Sequence, residues 1–138
     1  MLSNARTLRI EWGDCDPAGI VFYPRFFAMF DTSTTALFER ALGMKKYQFL
    51  EHFSTIGYPL VDARARFIVP VKFSDDVVIE SAVKEFRRSS FDVEHRLTKD
   101  GALAVEGFET RVWAVRDPSD PSKIRSAPIP EEIIARFQ

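Results

Sequence analysis

The sequence predicts an α+β chain: an antiparallel sheet of about five strands wrapped around one long central helix. Three observations carry this reading. Between Pro24 and Leu42, Phe26, Phe27, Phe30, Leu37, Phe38, Ala41 and Leu42 recur at helical spacing. From Tyr58 onward the apolar period changes to two, the spacing of a pleated strand. Short polar turns separate the later apolar runs, among them Lys99-Asp100-Gly101 with the Asp-Gly pair of a hairpin.

Taken in order, Thr7 to Trp12 alternates, with Leu8, Ile10 and Trp12 on one side, and predicts a half-buried strand. A polar loop, Gly13 to Gly19, then leads into the helix from Pro24 to Leu42. Proline suits the first helical position, where its missing N–H costs nothing, and Gly43 suits the C-cap. The helix is apolar on more than one face and small in its middle, Thr32-Ser33-Thr34-Thr35-Ala36, as expected beneath a closely wrapped sheet. A short second helix is expected over Lys46 to Phe53. Val61, Ala63, Ala65, Phe67, Val69, Val71 and Phe73 then share one face of a long strand, with Pro70 implying an edge or a bulge. Further strands are expected over Val77 to Phe86, Ser90 to Leu97 and Ala102 to Val115, the last bulging near Gly107. Asp117 to Pro130 reads as a proline-rich connector, and Pro130 opens a terminal helix through Phe137.

The 138 residues fit a single domain that ends in a proline-rich tail over residues 118–138. A net charge of −1 with both signs interspersed argues against a general nucleic-acid or membrane-surface binder. One cysteine allows no internal disulfide, and the first residues carry no apolar secretory core, so a cytoplasmic location is expected. No apolar run approaches the ~20 residues of a membrane span. Thirteen phenylalanines point to a dense core or to buried subunit contacts.

The loop Gly13-Asp14-Cys15-Asp16-Pro17-Ala18-Gly19 is the chemical focus. It sets Asp16 near the start of the long helix, where free backbone N–H groups and the helix dipole favour a carboxylate and can polarise a carbonyl oxygen. An aspartate before a helix is also a common cap, and local pattern alone leaves both readings open. Cys15 lies between two carboxylates that raise a thiol pKa, so packing is the simpler role. His52 and His95 have no metal-ligand spacing, and His95 falls on the apolar face of its strand, as a core histidine would.

Asp14-Cys15-Asp16-Pro17-Ala18-Gly19-Ile20-Val21-Phe22-Tyr23-Pro24 resembles the signature of the 4-hydroxybenzoyl-CoA thioesterase family of hotdog-fold proteins. The likeness continues through Gly57-Tyr58-Pro59, Asp75-Asp76-Val77, Lys84 to Phe91 and Arg111-Val112-Trp113-Ala114. It implies a hotdog fold and hydrolysis of an acyl-CoA thioester, with an aryl group such as 4-hydroxybenzoyl as the first expectation. By this likeness Asp16 is nucleophile or general base, and the backbone N–H of Tyr23 holds the oxyanion. Asp31 would face a distal hydroxyl of the acyl group, although an ordinary helix-surface acid fits it equally well. Tyr58, Pro59 and Leu60 correspond to a substrate-contacting segment, and Tyr47 would be an aromatic wall or a core residue. Arg87 and Arg88 match a pair that meets the coenzyme A phosphates. Ser89 stands where another basic residue would help, and Ser90 would donate to a phosphate or begin its strand. Arg125 is a weaker candidate for the same role. The resemblance implies no metal or redox cofactor, and it implies a homodimer or homotetramer with sites between subunits. The alternatives are a short-chain aliphatic acyl-CoA thioesterase, an acyl-carrier-protein thioesterase, or a non-catalytic module that binds acyl thioesters. A hotdog hydratase would need a histidine that the loop does not offer.

Overall fold

The computed structural model describes residues 1–138. Its main sheet has five antiparallel strands, β1 (Ser3–Arg9), β2 (Leu60–Phe67), β3 (Asp76–Phe86), β4 (Ser90–Lys99) and β5 (Ala102–Val112), in the order β1-β3-β4-β5-β2. The long helix α1 (Pro24–Leu42) packs on β3, β1 and β4, and the short helix α2 (Lys46–His52) follows it. Pro24 stands at the first turn of α1, and Gly43 closes it in the left-handed region at φ 65°, as expected from the sequence. Asp100 and Gly101, at φ 51° and 78°, make the turn from β4 to β5. No helix is long and apolar enough to cross a membrane.

The inner face of the sheet is built by alternation. Val77, Ile79, Ser81 and Val83 of β3, and Phe91, Val93, His95 and Leu97 of β4, point at α1. Two apolar clusters result. One, toward the α1 N-terminus, joins Ile10, Phe26, Phe30, Ile79, Leu97 and Val105. The other, toward its C-terminus, joins Phe38, Phe49, Tyr58, Phe91, Trp113 and Phe137. Much of the phenylalanine content is thus spent on the core.

Five expectations need correction. The first strand runs Ser3–Arg9 rather than Thr7 to Trp12, because its ladder with β3 extends from Ser3↔Ala82 to Arg9↔Asp76. Its inner side carries Arg6, which donates to Ser33 Oγ at 2.8 Å and to the Met29 carbonyl at 3.1 Å, so apolar alternation does not mark the element. The strand after Tyr58 stops at Phe67: the N–H groups of both Ile68 and Val69 turn to the Ala104 carbonyl, and Pro70 cannot donate. The edge position that Pro70 suggested is the one β2 occupies.

The bulge expected near Gly107 falls three residues earlier, at Ala104, where the pairing passes from Leu97↔Val105 to Thr98↔Leu103; Gly107 itself is not the bulged residue. It stays in register between Ala65 and His95, and the Phe30 ring lies so close that a Cβ there would overlap it. The strand expected to reach Val115 stops at Val112, and the expected connector from Asp117 to Pro130 takes part in a second, two-stranded sheet, β6 (Ala114–Asp117) with β7 (Asp120–Ser126). The intervening turn is braced by Asp117, which accepts from the Ser119 N–H, and by Asp120, which accepts from the Ser122 N–H. The last helix, α3 (Glu131–Ala135), is shorter than expected, but Ile133 and Phe137 are fully buried and lock the C-terminal residues into the core.

Candidate active site

The loop ahead of α1 folds as a small hairpin. Trp12–Asp14 form a 3-10 turn, and the Asp14 carboxylate accepts from the Glu11 N–H at 2.9 Å. Asp14 is therefore a loop-forming residue, as its sequence context suggests. Cys15 bridges to Val21, the Phe22 N–H donates to the Asp14 carbonyl at 2.8 Å, and the Asp16 N–H donates to the Ile20 carbonyl at 3.0 Å. Gly19, at φ 79°, supplies the left-handed turn that brings the chain back. Val21 and Gly19 bond in turn to Val71 and Phe73, so the hairpin is tied to the segment between β2 and β3.

This scaffold fixes Asp16. One carboxylate oxygen accepts from the Ala18 N–H at 2.8 Å, and the other has no partner in the chain. The side chain does not cap α1: the capping position belongs to Tyr23, with no side-chain hydrogen bond. The backbone N–H of Tyr23 likewise donates to no acceptor in the chain. A half-buried carboxylate with a free oxygen thus shares a hairpin with an unpaired N–H at the positive end of a 19-residue helix. Beside them opens an apolar cavity of about 330 Å³, lined by Ile20, Tyr23, Phe26, Phe67, Val69 and Val71 among others. That volume suits a small aromatic or short aliphatic group. Cys15 follows the expected trend, its thiol pushed up by desolvation and by the charges of Asp14, Asp16 and Asp75.

The other candidates gather at the opposite end of the sheet. Leu60 and Phe91 flank Arg111 on the neighbouring strands, and Val112 donates to the Pro59 carbonyl, so residues 58–60 and 87–90 border the same end of β5. Asp31 is on the exposed side of α1 and accepts from Arg111 Nη2 at 2.8 Å. Pro59 and Leu60 are exposed, as is Tyr47 on α2, at 66%. Tyr58 is instead a core residue, its ring 4.5 Å from that of Phe38, with Lys46 Nζ 4.7 Å from its centroid. Its hydroxyl is buried near Thr35 without a hydrogen bond of acceptable geometry, and burial pushes the phenol pKa up.

Arg87 is already engaged. Its guanidinium forks onto Asp92 at 2.7 and 2.9 Å, reaches Glu85 at 3.0 Å and donates to Ser90 Oγ at 2.9 Å. Arg88 is exposed and unpaired, and the carbonyls of Arg88 and Ser89 anchor Ile129 and Trp113.

Beneath Asp31 lies a buried polar network that residue-by-residue reading missed. Glu109 and Arg111 are 5% and 4% exposed, and the Arg111 fork donates to both Glu109 oxygens at 3.0 Å. Glu109 Oε1 also accepts from Thr34 Oγ1 at 2.5 Å and lies 3.2 Å from His95 Nε2, while His95 Nδ1 meets Ser81 Oγ at 2.6 Å. Burial alone would raise the Glu109 pKa, but the hydrogen bonds and charges of His95 and Arg111 outweigh it and hold the carboxyl at about 2. His95 is thus a core histidine with both ring nitrogens engaged, stacked 4.8 Å from Phe30. A signal did exist: counting back by twos from Trp113 passes through Arg111, Glu109, Gly107 and Val105.

The hotdog sheet and the loop–helix site define a class, and the chain belongs to the thioesterase-like superfamily, whose model matches residues 10–137. Its relatives include a 4-hydroxybenzoyl-CoA thioesterase of Pseudomonas sp. strain CBS-3, 32% identical over 132 residues that cover 91% of each chain. The structure of that enzyme superposes with a TM-score of 0.88, covering 97% of this chain and 98% of the other. A 4-hydroxybenzoyl-CoA thioesterase in which an aspartate is replaced by asparagine, solved with 4-hydroxybenzoyl-CoA bound, gives 0.89 at 30% identity over 99% of both chains. A gentisyl-coenzyme A thioesterase gives 0.83 at 30% identity, over 98% of this chain and all of the other.

Proposed function

We propose that this protein is an acyl-CoA thioesterase that hydrolyses an aryl thioester of the 4-hydroxybenzoyl type to the carboxylic acid and free coenzyme A. The observation that carries the reading is the free oxygen of Asp16 beside the unpaired Tyr23 N–H, at the mouth of an apolar cavity. The Tyr23 N–H polarises the thioester carbonyl and holds the oxyanion, an interaction worth about 3 kcal/mol of barrier. Asp16 then acts in one of two ways. It attacks the carbonyl carbon, expelling coenzyme A thiolate and leaving an anhydride that water opens, or it takes a proton from the water that attacks. Neither route calls for a metal or redox cofactor. That the relatives of about 30% identity act on hydroxylated aryl thioesters favours the aryl class.

The two groups of site residues lie at opposite ends of one sheet, about 23 Å apart over the seven-residue rise from Leu60 to Phe67. A second copy of the chain would bring the phosphate-binding end of one subunit toward the acyl end of the other. Exposed Phe67, Ile68 and Val69 beside the cavity, and the open edge of β2, support a homodimer or larger homo-oligomer. In this reading the chain acts as one domain in the cytoplasm, Asp31 of the partner subunit meets the distal hydroxyl of the acyl group, and Arg88 takes a coenzyme A phosphate.

The test is thiol release from aryl and aliphatic acyl-CoAs by the wild type and by Asp16→Asn. The amide keeps the loop geometry and loses the charge. Wild-type turnover of an aryl thioester, with a loss of at least about 1,000-fold in a folded variant, is expected. Binding of coenzyme A thioesters by both proteins without turnover by either would make this a binding module. Equal activity in both would move the chemistry away from Asp16.

A further inference from the structure

On the inner face of β4 the row Phe91, Val93, His95 and Leu97 ends in a charged residue, Lys99, the last of the strand. Its backbone is held on both sides, opposite Val77 of β3 and Ala102 of β5. The side chain is only 20% exposed. Its Nζ meets Asp75 Oδ2 at 2.8 Å and donates to the Pro70 carbonyl at 3.4 Å. The same Asp75 oxygen accepts from the Lys72 N–H at 2.7 Å. Burial alone would raise the Asp75 pKa, but Lys99 and the Lys72 N–H outweigh it and hold the carboxyl below its ordinary range. Pro70 and Asp75 belong to the segment between β2 and β3, and that segment is a wall of the apolar cavity beside Asp16: Ile68, Val69, Pro70 and Val71 all line it. The wall is not a strand. Ile68 and Val69 both donate to the Ala104 carbonyl, Val71 and Phe73 bond to the Asp16 hairpin, and Ser74 donates to the Ile10 carbonyl. Pro70 has no N–H, and no backbone donor reaches its carbonyl, so Lys99 is its one polar tie.

We infer that Lys99, paired with Asp75, is a positioning residue that fixes the cavity wall at Pro70 and so sets the largest acyl group the enzyme accepts. The inference rests on the thioesterase reading above and deepens it. Ion pairs near a surface add little stability, and what this one adds is geometry: a single cation joins two points of the wall. An ammonium carries three donors, enough for a carboxylate and a carbonyl together, and its apolar stem can run along the inner face to reach them. The Asp16 side of the cavity does not depend on this brace. There the hairpin holds itself, through the Asp16 N–H to the Ile20 carbonyl and the Phe22 N–H to the Asp14 carbonyl. The Pro70 side has no such support, and without the ammonium it can give outward. A close-packed apolar pocket turns a small displacement into selection, since one methylene too many already costs about 10-fold or more. Loss of the brace therefore changes which acyl groups fit and leaves the chemistry on a small one in place.

The experiment measures kcat/KM with the full chain for 4-hydroxybenzoyl-CoA and for 6-hydroxy-2-naphthoyl-CoA, which keeps a hydroxyl and adds a ring. It compares the wild type, Lys99→Met, Lys99→Arg and the double variant Asp75→Asn/Lys99→Met. Methionine keeps the apolar stem without the ammonium, the double variant leaves no carboxylate unpaired, and arginine keeps a cation able to reach both acceptors. The ratio of the two constants is blind to any loss of folded protein, because both substrates meet the same enzyme. The naphthoyl-to-benzoyl ratio is expected to rise at least about 10-fold in Lys99→Met and in the double variant, with 4-hydroxybenzoyl-CoA changed by less than about threefold. Lys99→Arg should stay within about threefold of the wild-type ratio. An unchanged ratio in both variants without the ammonium, or a fall shared equally by the two substrates, overturns the inference while leaving the thioesterase standing. So does a ratio that rises as far in Lys99→Arg, since the cation then plays no part. A wild type inert on both substrates overturns the thioesterase reading instead, and this inference with it.

Discussion

Gly107→Ala tests how the site-bearing helix is seated. Gly107 is not in the left-handed region, so alanine can adopt its backbone, and the loss of glycine freedom in the unfolded chain should by itself stabilise by about 0.4–1 kcal/mol. Against this, the new Cβ would lie 2.6 Å from Phe30 Cδ2, and Phe30 is only 1% exposed and stacked on His95. Overpacking of this kind costs about 1–3 kcal/mol, so a net loss of about 1–2 kcal/mol is expected. For a chain of this length that lowers Tm by about 3–8 °C. Urea melts at one fixed protein concentration should show it, and Phe30→Leu should relieve it, giving a favourable coupling of about 1 kcal/mol or more in the double-mutant cycle. An alanine variant as stable as the wild type, or two strictly additive substitutions, would show that Phe30 does not rest on Gly107.

Other outcomes follow from the same contacts. The Glu109 carboxyl sits at about 2 when folded against an ordinary 4.5, so it stabilises fully above pH 4.5 and loses that contribution as pH falls toward 2. The loss amounts to about 3 kcal/mol, and Glu109→Gln should flatten the acid limb of a stability-against-pH curve in that window. Cys15→Ser should leave thioester hydrolysis within about twofold of wild type, because a thiol raised by desolvation and flanking carboxylates is a poor nucleophile. Arg88→Ala should raise KM for coenzyme A thioesters about 3- to 10-fold with kcat retained. Arg87→Ala, which breaks the Asp92 fork, should lower Tm with little effect on KM.

Where sequence signals were local, they located the structure. Pro24 and Gly43 bracket α1 because each answers a backbone requirement of a helix end, and Asp100-Gly101 marks its hairpin for the same reason. The Asp16 loop was legible through its glycines, its carboxylate and a long family likeness. What sequence reading missed depends on partners distant along the chain. Ser3 to Arg6 become a strand only because β3 lies beside them, and β6 and β7 pair across a turn rich in Pro, Asp and Ser that looks like linker. Tyr58 reads as a substrate contact until Phe38, Phe49 and Phe91 are seen to enclose it. Glu109 and Arg111 carry no local mark of burial, since charged side chains are seldom inside, and only their mutual pairing makes the interior tolerable.

The inverted dress of β5 also bears on how the sheet finds its alignment. Phe108 faces outward under Arg64, while Glu109 and Arg111 face inward. Slipping this strand by one residue would turn Phe108 and Val112 toward the helix and free both charges to water, but it would also turn Val105 outward and Glu106 inward. The native alignment survives because only there does Arg111 find Glu109, Asp31 and the Tyr58 carbonyl together, and only there does a glycine meet Phe30. The charged pair therefore works as a key during folding. A redesign that swapped Glu109 and Arg111 for leucine and methionine would hold the same alignment by apolar alternation instead, and would release Asp31 from the guanidinium that grips it.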